Sequence, residues 1–344
     1  MIPVTQESHG LPGTGLRATS DEAPVTAKAL AGGHSAHALH APAAGETASR
    51  INDYRELFKF RVTTMVVITA WAGFYLGSMM SGISSVQRGL LDTLIGIALV
   101  SAGSGALNEA VERKTDARML RTAQRPLAAG RMSLSHGILL GIGCIAAGAA
   151  WLTFYTNPIT GTLTLITAFT YVAVYTPLKR YTTLATFIGA FPGAMPPLLG
   201  WTAARGSIEW PAVALFSILF VWQFPHFMAI SWMYRDDYAR AGIRMLPVVH
   251  PDGRSTVLEA LVYAVLMIPV SLTPVYLHMT GISYGVVAAF LGLIYLGYTI
   301  RFAKITSARS MIESRMYARD LLKVSVIYLP LLLTAMMLNA AGKR

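Results

Sequence analysis

Asn108, Glu112 and Asp116 recur at every fourth position in the stretch NEAVERKTDARMLRTAQRPL, residues 108–127. On an α-helix this spacing sets successive side chains about 40° apart in rotation and about 6 Å apart along the axis, so one amide and two carboxylates share a face. Arg113, Lys114, Arg118, Arg121 and Arg125 crowd the same stretch. Oxygen ligands for a hard divalent cation, mixed with guanidinium groups, are what a diphosphate–magnesium complex requires. A solvated basic loop also carries charge, but it has no need of a regular Asn/Glu/Asp ladder. The apolar run DTLIGIALVSAGSGAL leads straight into that ladder and places it at a membrane boundary.

A second acidic pair, Asp236 and Asp237, follows another apolar run in WQFPHFMAISWMYRDDYARAGIRMLPVV. If both stretches lie at one membrane face, the two acidic groups can converge on Mg²⁺ and hold a diphosphate between them. In YTPLKR, Lys179 and Arg180 are placed to grip phosphate oxygens.

The elements that must position these residues follow from composition. Of 344 residues, 54% are hydrophobic and 13% charged, and the mean hydropathy is +0.50. A soluble domain carries about 25% charged residues, so the chain reads as an integral membrane protein. The net charge of +11 sits in arginines between apolar segments. Positive-inside topology and anionic ligands explain it, and nucleic acid is not an expected partner. Cys144 is the single cysteine, which excludes a disulfide within the chain and a cysteine-based metal site.

Residues 1–50 are rich in Ala, Gly, Ser, Thr and His without sustained periodicity and read as a disordered tail. His34, His37 and His40 fall in it, it lacks the apolar core of a secretory signal, and Asp21, Glu22 and Glu46 argue against a transit peptide. From Ile51 an amphipathic lead-in is followed by nine apolar segments near 62–81, 89–110, 134–154, 158–176, 184–203, 210–232, 257–277, 283–302 and 320–340. Each has the length of about 20 residues that a bilayer-spanning helix needs, and within the bilayer such segments must be helical. The expected fold is therefore all-α, a polytopic bundle of about nine transmembrane helices over residues 51–344.

The loops alternate in charge. Those after segments two, four, six and eight hold sixteen Lys and Arg residues; the opposite set holds only Arg88 and Arg205. The positive-inside rule puts the N-terminus and the charged loops on the cytoplasmic side. Glu112, Asp116, Asp236 and Asp237 then share that face.

These motifs carry a resemblance. NxxxExxxDxxMxRTxxRPL at 108–127, YTPLKR at 175–180, GAxPPxxGW at 193–201 and WQxPHF with its following DY at 222–238 are similar to those of the membrane-embedded aromatic prenyltransferases of the UbiA superfamily. Within it they resemble the branch that farnesylates protoheme IX. The resemblance covers roughly residues 51–340. The chain departs from the family pattern with Glu112 where Asp is commoner, Ala185 where Asn is usual, and Phe60 between Lys59 and Arg61 where Pro is often found. None of these removes a ligand of the expected metal site.

The resemblance implies transfer of the farnesyl group of farnesyl diphosphate to a vinyl group of haem B, with addition of water, giving haem O and diphosphate. It implies Mg²⁺ held by Asn108, Glu112, Asp116, Asp236 and Asp237. Diphosphate contacts are expected from Arg118, Arg121, Arg125, Lys179 and Arg180, and cation-facing aromatics from Tyr171, Tyr175, Trp222 and Phe224. His226 is the histidine expected against haem, and His136 a weaker candidate. A bacterial inner membrane (or the mitochondrial inner membrane) and a downstream haem A synthase as partner complete these expectations. Two alternatives remain at this stage: a UbiA-type enzyme acting on a quinone or chlorin precursor, and a membrane transporter.

Overall fold

The structure, a computed structural model, describes residues 50–81 and 88–340. The N-terminal tail, including His34, His37 and His40, lies outside the described residues. A short helix α1 (Arg50–Leu57) precedes α2 (Phe60–Met80), α3 (Arg88–Asp116) and α4 (Leu134–Tyr155). Helix α5 (Pro158–Phe169) continues through a π-helical stretch (Thr170–Tyr175) into α6 (Thr176–Leu178). Then come α7 (Ala185–Arg205), α8 (Trp210–Met233), the short α9 (Arg235–Ala241) and α10 (Leu246–Val249), α11 (Arg254–Tyr276), α12 (Ile282–Phe302) and α13 (Met311–Leu338).

Local sequence accounts for many of the ends. Ser133 caps α4 by accepting from His136 N–H at 3.3 Å, and Asn157 caps α5 by accepting from Thr160 N–H at 2.9 Å, with Pro158 opening the helix. At α13, Ser310 accepts from Glu313 N–H at 3.1 Å while Glu313 reaches back to Arg309 N–H at 2.9 Å. This reciprocal cap starts the last helix at Met311, nine residues before the apolar run expected from 320.

Eight of the long helical runs among the described residues have the length and hydropathy to cross a membrane. The chain is a multi-pass membrane protein. The ninth, α7, is as long but less apolar, and most of its residues are buried against α2, α8 and the α5–α6 run. Large apolar side chains such as Leu139, Phe154, Val286 and Ile312 are exposed around the bundle, where lipid takes the place of water.

The loops sort into two ends, as their charge pattern implies. Lys179 reaches Glu112 at 2.8 Å, Arg244 N–H donates to Lys179 O at 2.9 Å, and Arg315 meets Asp236 at 2.7 Å. These contacts join the basic loops to one another. At the other end Arg205 bonds Ser81, and Thr280 bridges Ala340.

The centre is a close crossing of α2 and α7. A Cβ on Gly73 would run into Pro197 O, and one on Gly200 into Ala70 O, so the two backbones touch where only glycine fits. Gly200→Ala is therefore expected to lower stability by about 1–3 kcal/mol. Gly143→Ala, on a face of α4 where a Cβ meets nothing within 4 Å, should be neutral or gain up to about 1 kcal/mol. Thermal unfolding in detergent reads both; equal shifts would contradict the crossing.

Candidate active site

Helix α3 runs six residues past the apolar segment, so Asn108, Glu112 and Asp116 are all helical, and all three are buried. Together they line one side of a cavity of about 110 Å³ at the basic end of the bundle. Each is met by a cation from a different part of the chain. Asn108 Oδ1 accepts from Lys59 Nζ, while its Nδ2 donates to Thr176 Oγ1 at 2.9 Å. Glu112 Oε1 accepts from Lys179 Nζ at 2.8 Å. Asp116 Oδ2 accepts from Arg125 Nη1 at 2.7 Å.

Local conformation puts these cations in place. Lys59 sits at the corner between α1 and α2 with φ 46°, a left-handed backbone rare outside glycine. Its stem lies against Gly105, where a Cβ would come within 3.3 Å of Lys59 Cγ. Burial, followed by the neighbouring Arg125 guanidinium, lowers the Lys59 ammonium pKa to about 7, and Glu112 opposes that shift. The π-helical stretch brings Tyr171 and Tyr175 to the same side, their ring centroids 5.6 Å apart. Lys179 Nζ lies 4.3 Å from the Tyr175 ring centroid, and Lys59 Nζ 3.4 Å from Tyr171 OH.

The roof comes from the segment after α8. Tyr238, Ile243 and Met245 line the cavity, and Ala241 and Ile243 pack on Met119 of the arginine loop. Arg121 also lines it, its guanidinium 5.1 Å from the Tyr234 ring centroid.

Two features define the chemistry. The lining holds four cations, Lys59, Arg121, Arg125 and Lys179, against two carboxylates, Glu112 and Asp116. A partly enclosed site with that excess is a receptor for an anion. Asp116 Oδ1 is also buried with no hydrogen-bond partner. Among the described residues no group of three or more His, Cys, Asp or Glu could hold an ion by itself. Asn108 Oδ1, a Glu112 oxygen and the orphaned Asp116 Oδ1 are donors of the kind magnesium takes alongside water and phosphate oxygens. Asn108 and Asp116, about 12 Å apart along the axis, are too far apart to share one ion.

Other expected site residues lie elsewhere. Arg118 is exposed and does not line the cavity, and Arg180 donates to Thr115 Oγ1 on α3. Asp236 is exposed and held by Arg315, and Asp237 pairs with Arg240 within α9; neither lines the cavity. His226 bonds Ser325 Oγ at 2.8 Å and stacks on Trp222, whose Nε1 donates to Ser325 O, so both belong to the α8–α13 contact. Phe224 stacks on Tyr263 with centroids 3.6 Å apart, and His136 meets Tyr54 OH at 3.0 Å. Lys59, Ile243 and Met245 are the lining residues that lie outside the motifs.

Residues 66–319 match the UbiA prenyltransferase family. The chain is 52% identical over 292 residues to a protein from Koribacter versatilis (85% of this chain, 94% of that one) named protoheme IX farnesyltransferase. It is 41% identical to one of the same name from Solibacter usitatus, covering 85% of this chain and all of that one. In fold it resembles a digeranylgeranylglyceryl phosphate synthase, with TM-score 0.68 at 19% identity over 85% of this chain and 98% of that one. It also resembles a UbiA homolog from Archaeoglobus fulgidus bound to GPP and Mg²⁺, with TM-score 0.56 at 15% identity over 83% and 99%. The chain belongs to the UbiA prenyltransferase family of membrane-embedded transferases. Within it, the chain groups with the proteins named protoheme IX farnesyltransferase.

The Asp116–Arg125 pair makes a test that is independent of activity. Asp116→Ala leaves a largely buried guanidinium unpartnered and should cost about 3–5 kcal/mol. Combining it with Arg125→Met should recover more than half of that loss in detergent unfolding; additive losses would show that the pair is not coupled.

Proposed function

We propose that the chain transfers the farnesyl group of farnesyl diphosphate to a vinyl group of haem B, with addition of water, giving haem O and diphosphate. The observation that carries the diphosphate half is the cavity in which four cations face the Asn/Glu/Asp ladder and its orphaned Asp116 oxygen. Similarity to the named relatives supplies the haem half.

In this reading Asn108, Glu112 and Asp116 hold Mg²⁺. Bound there, Mg²⁺ supplies positive charge against the departing diphosphate. Arg121, Arg125, Lys59 and Lys179 donate hydrogen bonds to the diphosphate oxygens, and these strengthen as the carbon–oxygen bond breaks and its electron pair leaves with the diphosphate. The vinyl π pair attacks the allylic cation and forms the new carbon–carbon bond. Water adds to the resulting cation beside the porphyrin ring and loses a proton. The Tyr171 and Tyr175 rings flank the site and exclude bulk water. Asp236 and Asp237 serve the roof, through Arg315 and Arg240, rather than the metal. The basic end faces the cytoplasm across the bacterial inner membrane, and a membrane-resident haem A synthase would take the apolar product.

The test offers purified protein farnesyl diphosphate with either haem B or 4-hydroxybenzoate and determines the product mass; only haem B should yield an adduct. Asp116→Asn keeps an oxygen for Arg125 but removes the charge. Haem O formation should fall about 100- to 1,000-fold in that variant at an unchanged membrane level. Chelation should abolish turnover and Mg²⁺ restore it. Wild-type turnover by Asp116→Asn would remove the metal site from the reading.

A further inference from the structure

Glu109 follows Asn108 on α3, is completely buried and does not line the cavity. A carboxyl group inside a membrane-spanning helix is rare and disfavoured, so its use is informative. Its Oε1 accepts the Leu127 backbone N–H at 2.9 Å, and its Oε2 has no partner. Leu127 closes the return that carries Arg121 and Arg125 back over α3. The start of that return is held by Thr122 Oγ1 donating to Asp116 O at 3.1 Å and by the Arg125–Asp116 pair. Pro126 has no N–H to offer, which leaves Leu127 N–H as the donor that ties the far end to α3. The Leu127 side chain packs with Leu57, Ala106 and Ala110.

We propose that Glu109 is a positioning residue. It clasps the far end of the arginine return onto α3 and so fixes Arg121 and Arg125 at the cavity. With the Asp116 contacts at the near end and Arg131 bonded to Asp53 and to Gln124 O, this buried hydrogen bond to a backbone N–H completes the hold on two diphosphate donors, although Glu109 touches no substrate. The effect on turnover rests on the farnesyl-transfer reading; the clasp itself does not.

The test compares Glu109→Met, which fills the space without an acceptor, with Glu109→Gln, which keeps an oxygen for Leu127 N–H. Both are purified in lipid nanodiscs. In substrate-free protein, trypsin should cut after Arg118 or Arg121 about tenfold faster in the Met variant and at the wild-type rate in the Gln variant. In the assay with haem B, the Met variant should lower kcat/KM for farnesyl diphosphate about tenfold, and the Gln variant should restore it. In the Met variant kcat should fall, because Arg121 and Arg125 bond the departing diphosphate most strongly as its charge develops. A wild-type kcat/KM in the Met variant overturns the proposal even if trypsin cuts faster. A Gln variant as impaired as the Met variant also overturns it, because charge and not the acceptor would then matter. A Met variant that fails to accumulate in the membrane makes the bond a folding requirement and overturns the positioning role. Absence of any haem adduct from the wild-type protein sinks the farnesyl-transfer reading alone, and the trypsin comparison still judges the clasp.

Discussion

Everything at the basic end depends on three polar groups on one face of α3, each held by a cation from elsewhere in the chain. Lys59 comes from the α1–α2 corner, Lys179 from the end of the π-helical run, and Arg125 from the return after α3. Buried carboxylates at a membrane boundary need such partners, because desolvation outweighs any single surface ion pair. The partners in turn fix where three connecting segments lie. The ladder is thus a folding constraint before it is a catalytic one. The surplus of cations, with Arg121 added, leaves the cavity short of negative charge until an anion enters.

Much of this was legible in the sequence. The 108/112/116 spacing placed its three residues on one helical face, and the loop charge alternation sorted the connections into two ends that the structure joins by direct contacts. Nine apolar segments corresponded to nine long helices among the described residues. The start of α13 was missed because its first turns are charged, although SMIE, a capping box, was there to be read. The role of α7 as the buried centre was equally hidden, since hydropathy records composition and not which helix lies inside.

The site itself was read less completely than the fold. Asp236 and Asp237 lie at the expected membrane end, but their sequence neighbours include arginines at short range, and local pairing with Arg240 and Arg235 competes with a distant metal. Nothing in a linear motif distinguishes a carboxylate aimed at a cavity from one paired with a neighbouring guanidinium. His226 shows the same limit. A histidine one residue after Pro225 on an apolar helix has two faces to choose from, and here Ser325 and Trp222 take it away from the cavity. Lys59 entered only as a neighbour of Phe60 and not as a site residue, because its inward direction follows from a backbone conformation, φ 46°, that no residue pattern announced.

The arrangement also explains how a site built from opposite charges can favour a leaving group over its own ion pairs. Lys59, Lys179 and Arg125 each already have a protein oxygen and Arg121 lies over the Tyr234 ring, so binding an anion does not require any of them to be stripped of a partner. It requires only that donors left over on Lys59, Lys179, Arg121 and Arg125 be shared. Lysine and arginine carry three and five N–H groups respectively, and the ladder uses few of them. Because the ladder fixes these donors before substrate arrives, little reorganisation accompanies charge development on the diphosphate, and preorganised donors in a water-poor site act most strongly where negative charge grows. Loosening any rung would therefore weaken the site twice: once through a lost pair, and again through donors no longer aimed at the position the oxygens will occupy.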